Sequence, residues 1–122
     1  MYILNYGTST SCTIHKSSDY GVTWVSSIKS IASCETIESS YTGQYLVLTS
    51  GAYGKVYVSN DYGETFQEVF SGGQYWASVI SDSGQYIMVE NFIGLKKMSS
   101  DYGQTWQTGT LPNTRYTSQI LE

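Results

Sequence analysis

Few residues in this 122-residue chain could do chemistry, and the most conspicuous of them fall in one recurring octet. Ser17-Ser18-Asp19-Tyr20-Gly21-Val22-Thr23-Trp24 returns as Ser59-Asn60-Asp61-Tyr62-Gly63-Glu64-Thr65-Phe66, and again as Ser99-Ser100-Asp101-Tyr102-Gly103-Gln104-Thr105-Trp106. Three aspartates at one repeated position could offer carboxylates to a cation or to acid–base work. Their neighbours argue for a different use. An Asp accepts hydrogen bonds from backbone N–H groups a few residues on, and a Gly two positions later supplies the positive φ of a tight turn. Asp19, Asp61 and Asp101 therefore read as turn-formers with Gly21, Gly63 and Gly103; calcium ligation is the minority alternative, and no metal is expected. Trp24, Phe66 and Trp106 follow as aromatic anchors turned back into the core.

The remaining candidates are isolated. His15 is the single histidine, in a strand-like run without a Ser/Asp or Cys partner pattern, so a nucleophile triad has no support. Cys12 and Cys34 make no metal motif; one bridge is conceivable, but two buried thiols are the favoured reading. Glycoside hydrolysis needs two carboxylates flanking one bond. Glu35 and Glu90 are conceivable, yet no spacing singles them out, and both read as solvated carboxylates at strand ends. No catalytic residue is assigned and no cofactor is expected.

Composition sets the elements that must position these groups. Charged residues make up 13% and aromatics 15%, with 12 Tyr, 12 Gly and one Pro. A disordered chain would be charge-rich and aromatic-poor. Tyr, Thr, Val, Ile and Ser with many Gly point to short strands and tight turns. The net charge of −4 and six scattered basic residues give no footprint for a phosphate backbone, so nucleic acid is not an expected partner. No apolar run approaches the roughly 20 residues of a membrane span, and the N-terminus lacks the basic start of a signal peptide. The expectation is a soluble chain of unassigned compartment.

A second signature runs at the octet's period. Thr42-Gly43-Gln44-Tyr45-Leu46-Val47-Leu48 matches Ser83-Gly84-Gln85-Tyr86-Ile87-Met88-Val89. Four strands, A to D, fit each repeat, with the octet joining C to D. The second repeat, 30–70, reads A near 33–39, B near 45–49, C near 55–59 and D near 65–69. The third, 71–110, reads A near 76–82, B near 86–91, C near 95–99 and D near 105–108. The first, 1–29, holds only B (2–6), C (12–17) and D (23–27). A lone A strand lies at 115–122. Three periods account for nearly the whole of residues 1–122, one domain.

The octet S-x-D-x-G-x-T-W resembles the Asp-box, or BNR, repeat. All three copies match at Ser, Asp, Gly and Thr, and only Phe66 departs from Trp. The resemblance implies an all-β propeller with three blades per chain and a structural Asp-box lying away from the functional face. Propellers close with about four to eight blades, so three would leave strand edges and blade faces bare. A homodimeric six-bladed ring, with strand 116–122 of each chain added to strand 2–6 of the other, removes both. A segment of a longer propeller is the alternative.

The resemblance also implies a ligand face on the B–C and D–A loops. Tyr6, Tyr53, Phe92, Tyr75 and Arg115 are the candidates there, although rings beside Gly also fill space between blades. Sialidases of this repeat family use an arginine triad, and this chain has one arginine, Arg115. The reading is a non-catalytic module presenting repeated loops to a protein partner, with a virion-associated or host-interaction role if the source is viral. A multivalent lectin is the alternative, and a glycoside hydrolase the weakest.

Overall fold

The computed structural model describes residues 1–5, 8–51 and 53–110. Among these there are eleven strands and no helix, so none is long and apolar enough to cross a membrane. They are β1 (Tyr2–Asn5), β2 (Cys12–Lys16), β3 (Val25–Lys29), β4 (Cys34–Ser39), β5 (Leu46–Ser50), β6 (Lys55–Ser59), β7 (Gln67–Phe70), β8 (Tyr75–Ile80), β9 (Ile87–Asn91), β10 (Leu95–Ser99) and β11 (Gln107–Thr110). Each repeat folds as an antiparallel meander. The first sheet is β1-β2-β3, the second β4-β5-β6-β7 and the third β8-β9-β10-β11. The expected closing strand at 116–122 lies outside the described residues.

Period-two alternation lets one strand feed two cores. Every residue of β5 is buried. Leu48 joins Cys12, Ile14, Ile31 and Cys34 between the first and second sheets. Val47, one residue away and on the opposite face, joins Val56, Tyr75, Ile87 and Val89 between the second and third. Burying each such side chain stabilises by roughly 1.5–3 kcal/mol.

The two cysteines are joined, which corrects the expectation of two thiols. Cys12 of β2 and Cys34 of β4 form a disulfide across the first core. Sequence spacing could not reveal this, because the stacking of the first sheet on the second is what brings the two residues together.

The D strands start later than expected, at Val25, Gln67 and Gln107 rather than at the box threonines. The cause is local: each box Thr spends its N–H on the Asp carboxylate and has none for the ladder.

At the open side of the first sheet, Met1, Ile3 and Ile28 are exposed large apolar residues. Ile3 pairs with His15, and His15 with Ser26, so these three share one face of the sheet. There His15 Nδ1 lies 2.7 Å from Ser26 Oγ.

Candidate functional site

The three boxes are built alike. Tyr20 and Gly21 both have positive φ, as do Tyr62 and Gly63, and Tyr102 and Gly103. Two consecutive left-handed residues are the mark of a type I′ turn, closed here by Val22, Glu64 and Gln104 N–H on the Asp carbonyls. Gly takes the second position freely; Tyr at the first was not foreseen.

The box serine is the hub. Ser59 Oγ accepts the Gly63 N–H at 3.0 Å and donates to Asp61 Oδ1 at 2.8 Å. Asp61 Oδ1 also accepts the Thr65 N–H at 2.9 Å, and Oδ2 takes the Thr65 hydroxyl. Asp19 and Asp101 repeat this pattern with Ser17 and Thr23, and with Ser99 and Thr105. The carboxylates are thereby held ionised. Hydrogen bonds from Thr23 lower the Asp19 pKa, and those from Thr105 lower Asp101 to about 2. At Asp61 burial pushes upward, but the Thr65 and Ser59 bonds outweigh it and the net shift is down.

Trp24 and Trp106 add an indole N–H to the Gly21 and Gly103 carbonyls at 3.0 and 2.9 Å. Phe66 has no such donor and packs beside the first core, while Trp106 packs beside the second.

In these meanders the boxes sit at one end and the B–C and D–A loops at the other. Of the expected loop residues, Tyr6 and Arg115 lie outside the described residues. Tyr53 and Phe92 are exposed. Phe92 is carried by a loop that Asn91 builds, its Oδ1 accepting the Ile93 and Leu95 N–H groups at 3.2 and 2.9 Å.

Tyr75 is a correction. It begins β8, is 1% exposed, and meets Phe70 edge-on with ring centroids 5.2 Å apart. Burial raises its phenol pKa. It is a core residue, and the ring that faces outward is its neighbour Trp76, 57% exposed.

A bulge explains the exchange. In β8, Tyr75 pairs with Asn91 and Ala77 with Glu90, leaving Trp76 as an extra residue. In β4, Cys34 pairs with Ser50 and Thr36 with Thr49, leaving Glu35 in the same role. The second and third repeats thus present one side chain each from the same bulged position of strand A. Glu35, Gly51, Gln74, Trp76 and Phe92 line an open cleft of about 550 Å³. A neighbouring hollow of about 530 Å³ is lined by Tyr53, Gly54, Gly72, Gln74, Phe92 and Ile93, among others. Gly54 is needed there, since a Cβ on it would stand 2.6 Å from the backbone nitrogens of Gly73 and Gln74.

No protein-family model matches this chain, and no curated protein sequence matches it. Its fold is similar to a solved structure described as YCF48 bound to D1 peptide, with a TM-score of 0.61 at 14% identity. The match covers 88% of this chain and 43% of that one, so the chain spans less than half the length of its neighbour. The all-β architecture of stacked antiparallel sheets is therefore propeller-like.

Proposed function

We propose that this chain is a non-catalytic interaction module, half of a six-bladed Asp-box propeller completed by a second copy, which presents its B–C and D–A loops to a protein partner. One observation carries the reading: Tyr53, Trp76 and Phe92 stand exposed together at the loop end, opposite the boxes. Exposed aromatics gathered at one rim are characteristic of binding surfaces. The peptide in the neighbouring structure supports a peptide-like partner.

The second copy has its own support. Among the described residues the first sheet has three strands where the others have four, and its outer face carries Met1, Ile3 and Ile28 in the open. At the far side of the chain, Met98 of the third sheet is also exposed. Stacking these two surfaces between copies would bury both.

Selection from a random-peptide display library tests the partner. Peptides retained by the native chain and lost with Trp76→Ala or Phe92→Ala are expected. Ligands found only on a glycan array would replace this reading with a lectin. Mass in solution tests the ring, with twice the 13.6 kDa chain mass expected; a stable single copy would overturn the assembly.

A further inference from the structure

Among the described residues no hydrogen bond or ion pair engages the Glu35 carboxylate, whereas Glu90 and Glu68 are both paired with lysines. It projects from the β4 bulge into the cleft that Trp76 enters from the equivalent bulge of β8. The space for it is made by Gly51. A Cβ there would lie 2.1 Å from Glu35 Oε2 and 3.1 Å from Cδ, so the missing side chain lets the carboxylate lie across the backbone. Gly51 is not among the positive-φ residues, which leaves room rather than backbone freedom as its role.

We propose that Glu35, Trp76 and Phe92 form a receptor for a basic side chain of the partner, an arginine guanidinium above all. This deepens the protein-partner reading and rests on it. An ionised carboxylate only accepts hydrogen bonds, so its complement must donate. A guanidinium donates in a planar fork to a carboxylate and stacks its own plane on an aromatic face. Aromatic rings and a carboxylate line this cleft together, and Gln74 is the other hydrogen-bonding side chain beside Glu35 and the Trp76 indole among the described residues there. A saccharide would need several directed donors and acceptors around one ring, and among the described residues this cleft offers the Glu35 carboxylate, the Gln74 amide and the Trp76 indole N–H. The chain's net charge of −4 also favours the approach of a cationic segment.

The test titrates the isotope-labelled full chain with N-acetylated, C-amidated Gly-Arg-Gly, with its citrulline counterpart, and with methyl glycosides. Saturable shifts at the Trp76 indole and the Gly51 amide are expected with the arginine peptide. A hydrogen bond to a charged group contributes roughly 1.5–3 kcal/mol, so citrulline, and the variant Glu35→Gln, should each weaken binding by about tenfold or more. Gly51→Ala should weaken it too while leaving the thermal midpoint near native, because the atom it displaces is the end of a flexible side chain. Equal response to arginine and citrulline, indifference to Glu35→Gln, or no shift at all would overturn the proposal. So would glycoside shifts at Trp76 that Glu35→Gln leaves intact. Display peptides that need Trp76 yet carry no basic residue would sink this inference and leave the interaction module standing.

Discussion

Asp101 holds Thr105 with both of its carboxylate oxygens, Oδ1 on the amide N–H at 2.8 Å and Oδ2 on the hydroxyl. The grip exists only while Asp101 is ionised, and it lowers the carboxyl pKa to about 2. A folded-state value below the unfolded one means stability that is complete above the unfolded pKa, near 3.9, and lost as pH falls through the folded one. Asp19 and Asp61 are shifted in the same direction. Urea unfolding should therefore show stability declining from about pH 4 toward pH 2. Asp101→Asn should flatten part of that decline; an unchanged slope would count against the box as its source.

Reduction should weaken the stack of the first two sheets. The Cys12–Cys34 bridge closes a loop with a sequence separation of 22. On the chain-entropy account such a loop contributes about 3 kcal/mol. Denaturation with and without reductant, compared with the Cys12→Ser/Cys34→Ser variant, should show a loss of that size. Free labelling of both thiols in the native, unreduced chain would refute the bridge.

Lys96 is 1% exposed and paired with Glu90 at 2.9 Å, directly across the β9–β10 ladder. Glu90→Ala strands a buried ammonium and should cost about 3–5 kcal/mol. The double variant Lys96→Met/Glu90→Leu, which removes both charges, should recover most of that loss. A denaturation cycle in which the two single costs simply add would argue that the pair is not coupled.

Trp106 and Phe66 are natural controls for one another. Trp106 donates its indole N–H to the Gly103 carbonyl at 2.9 Å, and Phe66 at the same place in the second box has nothing to donate. Trp106→Phe should lower stability by about 1 kcal/mol, the net worth of one hydrogen bond. Thermal unfolding of that variant, alongside an unaltered Phe66, measures the value of the indole in its own fold.

Repetition made much of this architecture legible from residues alone. β6 and β10 fall where the alternation before each box places them, because a strand ending in Ser-x-Asp-x-Gly has its register set by the turn. The candidate site was less legible, and the reason is also local. A bulge adds one residue to one strand, and a period of two then assigns every later side chain to the wrong face. Tyr75 is expected in the loop before strand A, yet it begins β8 and is buried; Trp76, expected at the start of that strand, does lie within it, but as the bulged residue its ring faces outward. Glu35 carried no signal beyond being an acidic residue near a strand end. The Gly51 beneath it is recognisable only once β4 and β5 are paired.

The bulged residues take no part in the ladder. Neither residue belongs to a buried core, so exchanging the side chain at position 35 or 76 should leave the pairing and both cores in place. On the proposed reading, recognition and folding fall to separate residues, and a lineage of such chains could change what it grips, one blade at a time, while the framework stayed as it is.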